Sequence, residues 1–410
     1  MKTKEATPQT IEIIEGGNIT SPIGYKAGGL HCGIRKKKLD FGWFVSEVPA
    51  NAAGVYTMNS FQAAPLKVTQ ESIAKENKLQ AVVCNSGIAN ACTGNQGLQD
   101  AYDMRKVFAE VVGVEEHLAA VASTGLIGEL LPMEKIHGAM AEIQDEKHAG
   151  AENFETAILT TDTKEKGIAI ELTINGKTVT IGGAAKGSGM INPNMATMLS
   201  FITTDANISS EHLSQALKDI TNKSFNMITV DGDTSTNDMV LVLANGLAEN
   251  EDLTPNHQEW EKFYEGLRYV CEHLAKEIAR DGEGATKLVE VLVEGASTDE
   301  SAQKIAKCVI SSNLVKTAIH GADANWGRII TAIGYSGEPI DPNKVSIYLG
   351  DIKVVEEGVP HSFNEERAKE YLLQENVQIQ AHLGDGIGKG VAWGCDLSYE
   401  YVRINASYRT

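Results

Sequence analysis

Lys186-Gly187-Ser188-Gly189-Met190-Ile191-Asn192-Pro193-Asn194-Met195-Ala196-Thr197-Met198-Leu199 is the stretch on which the reading of this chain turns. It is built unlike a core element. Gly187, Ser188 and Gly189 come first, then Pro193 between two asparagines, then Ala196 immediately before Thr197. Glycine opens backbone conformations closed to other residues, and proline fixes its own φ and restrains its neighbour. A loop of this kind can hold one peptide bond exposed beside a hydroxyl. Two readings follow from the residues alone. One, which the chemistry by itself favours, is an ordinary Gly/Pro surface loop. The other is self-cleavage between Ala196 and Thr197, with the Thr197 hydroxyl attacking the Ala196 carbonyl. Cleavage would free the Thr197 α-amine to serve as general base for its own hydroxyl.

Working outward, Ile168 to Ile174 and Lys177 to Ile181 flank Asn175-Gly176, two residues that tolerate positive φ, and predict a hairpin leading into the loop. Beyond it, Met198 to Ile202 predicts a buried strand with Thr197 at its exposed end. A helix over Glu211 to Asn222 follows, capped by Ser209 or Ser210, with Leu213, Leu217 and Ile220 on its buried side. Met227 to Val230 and Met239 to Leu243 read as strands around the polar loop Asp231 to Asp238. That loop lacks the distal Glu of a calcium-binding loop, so structural hydrogen bonding is the expectation. A long helix is predicted from Thr254 as N-cap and Pro255 to Asp281-Gly282, then a strand over Leu288 to Glu294 and a helix over 299–310. Nearer the N-terminus, residues 10–60 suggest short strands joined by turns. Leu79 to Cys84 suggests a buried strand, and Leu98 to Val112 a helix stopped by Gly113. Val121 to Gly128 carries a Thr-Gly pair after an apolar run, and Pro132 to Ile143 reads as a helix. Leu383 to Gly390 looks like a phosphate loop but lacks the Ser/Thr after its Lys, and reads as turns between strands. Tyr399 to Ile404 reads as a last strand. The pattern is α/β, an α+β layered arrangement.

With 410 residues, 42% hydrophobic and 22% charged, the chain can bury a large core. A formal charge of −19 repels phosphate backbones and anionic membranes. The run Arg35-Lys36-Lys37-Lys38 is the local exception and reads as a solvated loop, so neither nucleic acid nor membrane is an expected partner. The six cysteines, Cys32, Cys84, Cys92, Cys271, Cys308 and Cys395, are scattered without a C-x-x-C pair. They predict reduced, buried thiols, and the histidines show no metal-ligand spacing. No apolar leader or membrane-length run is evident, so the expected compartment is cytoplasmic.

The string Lys186 to Leu199 closely resembles the self-processing segment of the ornithine acetyltransferase (glutamate N-acetyltransferase) family of arginine biosynthesis. Asp231-Gly232-Asp233-Thr234-Ser235-Thr236-Asn237-Asp238, Asp281 to Lys287, Gly321 to Arg328 and Asn405 to Thr410 resemble the same family, in the same order. The resemblance implies an ornithine acetyltransferase/aminopeptidase-like sandwich. It also implies cleavage into an α chain, 1–196, and a β chain, 197–410, that begins with the nucleophile Thr197. Two of each would assemble as a heterotetramer. Thr124 and Gly125 match the family's oxyanion-hole pair, and Thr160 (with Thr161 as the alternative), Lys186, Thr197, Glu283, Asn405 and Thr410 its substrate contacts. On residues alone, Thr124-Gly125 is a plain turn, Thr160 to Thr163 is capping chemistry, and Glu283 lies in an exposed turn. The implied reaction moves an acetyl group from N-acetylornithine through an acetyl-threonine to glutamate, with no bound cofactor or metal. Acetyl-CoA as a second donor stays open. A self-processing amidohydrolase or aminopeptidase that uses water as acceptor is the alternative. A non-enzymatic protein with an uncut loop is another.

Overall fold

The structure, a computed structural model, describes residues 11–192 and 198–407. Two sheets organise it. The larger has nine strands. Its order is Glu12–Ile13, Lys166–Ile174, Lys177–Lys186, Leu199–Thr204, Met239–Ala244, Phe41–Tyr56, Lys78–Ile88 and Ala119–Leu126, with Tyr25–Leu30 paired to the Phe41–Tyr56 strand. The smaller has seven: Val359–Pro360, Ile352–Glu356, Ser346–Leu349, Asn376–His382, Leu288–Ala296, Gly388–Cys395 and Ile228–Thr229. Together with their helices they form a mixed α/β sandwich.

The helix Trp260–Arg280 is the middle layer between the sheets. Towards the larger sheet, Val270 and Leu274 lie over Gly183, where an added Cβ would meet them at 3.1 and 2.9 Å. Towards the smaller sheet, the Lys276 ammonium sits 5.1 Å from the Trp393 ring centre. Nine residues of this helix are buried, Phe263, Leu267, Val270, Leu274 and Ile278 among them, and one continuous apolar core runs from Ile170 through the helix to Val291 and Ile379. The helix Asp299–Ser311 covers the far face of the smaller sheet, where a Cβ on Gly394 would run into Ile310 at 2.6 Å.

Most predicted elements form. Asn175 and Gly176 adopt φ of 48° and 74°, the turn that a tight hairpin needs. Ser209 caps Ser210–Lys223 by accepting from the His212 N–H. Of Leu383 to Gly390, residues 383–387 join two strands as expected of turns, while Gly388 to Gly390 already belong to the strand Gly388–Cys395. Four expectations are corrected. Residues 41–56 make one long strand rather than several short ones. Its register against Lys78–Ile88 shifts between Val45 and Ala50, where Pro49 has no N–H to give to a ladder. The middle helix begins at Trp260 and not after Thr254, because His257 turns the chain: its N–H donates to the Thr254 carbonyl (2.9 Å), and its Nδ1 accepts from the Glu259 N–H (3.1 Å). Of Met227 to Val230 only Ile228–Thr229 is strand. Tyr399–Ser407 is a helix rather than a strand. The Ser398 hydroxyl accepts from the Glu400 and Tyr401 N–H groups (3.1 and 3.4 Å) and closes its first turn.

Candidate active site

One cleft of about 260 Å³ gathers residues from eight separate stretches of the chain, with Thr124, Thr160, Lys186, Asp231, Glu283 and Asn405 in its wall. Ala119–Leu126 runs parallel to Lys78–Ile88, and Thr124 and Gly125 stand where that ladder becomes irregular beside Ile88. Gly125 has φ +129°, and a Cβ there would lie 2.3 Å from the Gly87 carbonyl carbon, so only glycine fits. Its N–H and the Thr124 hydroxyl are therefore carried by the end of a strand, not by the plain turn that the residues alone suggested, in a backbone shape that packing dictates.

Lys186 ends its strand inside the protein. Its Nζ donates to the hydroxyls of Thr160 (2.8 Å) and Thr124 (3.3 Å). Burial pulls the Lys186 ammonium below its ordinary pKa, and the Asp162 carboxylate, 4.0 Å away, opposes that pull. Asp162 is itself buried. Burial alone would raise its pKa, yet the Lys186 and Lys166 ammoniums hold it well below the usual carboxylate range. Lys166 Nζ bridges Asp162 (2.8 Å) to Asp281 (2.6 Å), so two carboxylates and two ammoniums form one buried network under the cleft.

The loop after Lys186 is pinned along its first part. Gly187 N–H donates to Asp162 (2.6 Å), and Ser188 Oγ donates to the Asp281 carbonyl (2.7 Å). The Met190 and Ile191 N–H groups both donate to the Asp231 carboxylate (2.7 and 2.9 Å). The Asn192 carbonyl accepts from the Thr234 hydroxyl (2.8 Å). On the far side, Met198 is buried, and its carbonyl accepts from the Met239 N–H at 2.8 Å. The five residues between these anchors include Ala196 and Thr197; like Thr410, they lie outside the described residues. The Asp231 to Asp238 loop acts through hydrogen bonds, as its sequence suggested: the Asn237 side chain donates to the Ala89 and Ser123 carbonyls (2.6 and 2.8 Å) and ties it to the Thr124 strand.

Glu283 and Asn405 meet across the cleft, with Asn405 Nδ2 donating to Glu283 Oε2 at 2.7 Å. Glu283 is buried, not in an exposed turn, and Gly189 makes room for it: a Cβ there would fall 2.4 Å from the Glu283 carboxyl carbon. The C-terminal helix turns Tyr401 and Asn405, four apart, onto one face, and the Tyr401 hydroxyl reaches Asp231 at 3.3 Å. Of the two alternatives at 160 and 161, both line the cleft, and the hydroxyl of Thr160 is the one held by Lys186.

Several contributors escaped the sequence. Arg35, assigned to a solvated loop, donates to the Leu159 carbonyl (2.7 Å) and the Thr160 carbonyl (2.9 Å) and fixes the turn that presents Thr160. Asp162 and Asp281 stood in stretches already singled out, but neither they nor Lys166 signalled an ion pair, because a buried pair is not visible before the strands that bury it are placed. All six cysteines are free, but the expectation of buried thiols holds only for Cys84, Cys271 and Cys395; Cys32 and Cys308 are half-buried and Cys92 is exposed.

The ArgJ family model matches residues 26–410. The arginine biosynthesis bifunctional protein ArgJ of Geobacillus kaustophilus is 61% identical over 410 residues, covering 99% of this chain and 100% of the relative. A crystal structure of the arginine biosynthesis bifunctional protein ArgJ from Bacillus halodurans superposes with a TM-score of 0.51 at 60% identity, covering 52% of this chain and 100% of the solved one. The ornithine acetyltransferase of Mycobacterium tuberculosis, solved in complex with ornithine, is 35% identical, covers 46% of this chain and 100% of its own, and has a TM-score of 0.43.

Proposed function

The chain belongs to the ArgJ family, and on that premise we propose that it is an acetyltransferase of arginine biosynthesis that moves an acetyl group from N-acetylornithine to glutamate. The single observation that carries the mechanism is the cleft. It brings Thr124, Gly125, Thr160, Lys186, Glu283 and Asn405 together and receives both anchored ends of the segment that contains Ala196-Thr197.

In this reading the chain cleaves itself before Thr197. The exposed amine then takes the proton of the Thr197 hydroxyl as that oxygen attacks the acetyl carbonyl. Thr124 and the Gly125 N–H stabilise the tetrahedral oxyanion. The α-ammonium gives its proton to the departing nitrogen and ornithine leaves; the same amine then takes a proton from the attacking amine of glutamate and returns it to the Thr197 oxygen as the ester breaks, giving N-acetylglutamate. Lys186 provides positive charge for a substrate carboxylate, while Glu283, held by Asn405, receives an ammonium; Thr160 and Thr410 complete the contacts. Cleavage is supported by the extent of the Bacillus halodurans chain: matched along its whole length, it covers 52% of this one, the share that residues 197–410 make of 410. The protein supplies its own nucleophile, so the steps invoke no cofactor or metal; acetyl-CoA is the candidate second donor. Two α and two β chains per assembly and a cytoplasmic location belong to the same reading. The unpaired cysteines suit a reducing compartment, and no helix among the described residues is long and apolar enough to cross a membrane.

Mass measurement under denaturing conditions tests the nucleophile. Two fragments, the second starting at Thr197, are expected, and Thr197→Ala should remain a single chain without acetyl transfer. Normal turnover by that variant sinks the mechanism. Deacetylation that glutamate does not accelerate would favour water as the acceptor.

A further inference from the structure

A lysine ammonium can only donate hydrogen bonds. Where Lys186 Nζ contacts the Thr160 and Thr124 hydroxyls at 2.8 and 3.3 Å, each threonine oxygen is therefore the acceptor. A hydroxyl that accepts on one side must direct its own hydrogen elsewhere, and both side chains border the cleft. The cation also polarises each O–H and strengthens it as a donor. A free threonine hydroxyl can rotate and offer an oxyanion its lone pairs. Thr124, held by Lys186, offers a proton.

Lys186 is held in turn. Asp162 lies 4.0 Å from its ammonium, accepts from the Thr160 N–H at 3.0 Å and from the Gly187 N–H at 2.6 Å, and is fixed on its other side by Lys166 at 2.8 Å. One buried carboxylate thus sets the place of the Thr160 backbone, of the residue following Lys186 and of the Lys186 charge. From this we infer that Asp162, acting through Lys186, is a positioning residue that turns the Thr124 hydroxyl into a pre-oriented proton donor for the oxyanion. Lys186 then contributes to the chemical step as well as to substrate binding. This inference rests on the acyl-transfer reading above.

A double-mutant cycle on kcat tests it, with glutamate as acceptor and N-acetylornithine as donor, on protein whose cleavage has been verified by mass. Thr124→Ala removes the donor and should lower kcat ~100-fold or more, the usual cost of one oxyanion contact. Asp162→Asn should lower kcat about 10-fold, the mark of an interaction made only in the transition state, with any rise in KM from its hold on the Thr160 N–H coming in addition. The double variant should be no slower than Thr124→Ala alone, because Asp162 acts through a hydroxyl that is no longer there. Fold-losses that multiply would overturn the inference, as would an Asp162→Asn effect confined to KM. The same cycle with Lys186→Met leaves Asp162 paired to Lys166 and should again be non-multiplicative on kcat, whatever that variant does to KM. If neither variant yields soluble, cut protein while Thr124→Ala does, the inference fails, because the pair would then serve the fold or the loop rather than Thr124. An unmodified protein that transfers no acetyl group sinks the acyl-transfer reading instead; an active one with multiplying losses sinks only this inference.

Discussion

Glu155 should make the stability of this protein fall as pH rises towards neutrality. It lies on the helix Ala151–Ala157 and is 8% exposed, and its Oε1 has no hydrogen-bond partner among the described residues. The carboxyl presses on the backbone of Gly167, where a Cβ would come within 2.6 Å of Oε1. Burial, and then the Glu165 and Glu152 carboxylates, push its pKa from 4.5 up to about 7. At about 1.4 kcal/mol per pH unit, that difference corresponds to roughly 3 kcal/mol. The folded state holds its proton more tightly than the unfolded chain. The cost of ionising it in place is thus absent below pH 4.5, grows between 4.5 and about 7, and is complete above. Glu155→Gln stays neutral throughout. Relative to the unmodified protein it should gain up to about 3 kcal/mol between pH 4.5 and pH 8. Urea midpoints of both proteins at the two pH values measure the gain. An equal difference between the proteins at both pH values would refute the reasoning, since it would mean that the carboxyl is charged, or neutral, at both.

Gly125→Ala should cost at least about 2 kcal/mol and abolish soluble expression or turnover, because a Cβ meets the Gly87 backbone at a positive φ; near-normal melting and kcat would contradict this. Asp231→Asn replaces one of the oxygens that accept the Met190 and Ile191 N–H groups with a donor, at about 1–3 kcal/mol for a bond lost in place. Self-cleavage, followed by mass against time, should slow at least about 10-fold, and an unchanged rate would remove Asp231 from the loop's support. Arg35→Met leaves the Leu159 and Thr160 carbonyls without their guanidinium. Cleavage should proceed while KM for the donor rises several-fold; a KM matching the unmodified protein's would return Arg35 to the solvated loop its sequence suggested.

The hairpin at Asn175-Gly176, the strand after Thr197 and the buried faces of the long helices were legible because each is local: two turn residues, one apolar run, one repeat of 3.6. The C-terminal element was not. Tyr399 to Ile404 alternates like a strand, but no residue of the resulting helix is buried, so hydrophobic periodicity had nothing to report. What decides it is the cap at Ser398 and the reach of Tyr401 and Asn405, four apart, to Asp231 and Glu283. The site divides in the same way. Thr124, Lys186 and Glu283 could be singled out by family resemblance, whereas Asp162, Lys166 and Asp281 gain meaning only from being buried together. Their partners lie up to 115 positions apart in sequence, beyond any local pattern. Arg35 misled for a related reason: a basic run looks solvated until the carbonyls that one member satisfies are known.

The order of strands in the larger sheet bears on when this protein can be assembled. Leu199–Thr204 and Met239–Ala244 lie side by side, with Lys177–Lys186 against one flank and Phe41–Tyr56 against the other. A scission before Thr197 would leave two pieces laced through a single sheet, each lacking the neighbours that complete its hydrogen-bond ladders. The uncut precursor can find this arrangement as one molecule. The severed halves, once pulled apart, would have to meet by diffusion with their unfinished edges exposed. Maturation would therefore be a one-way event, and the intact precursor the only practical route to the native architecture.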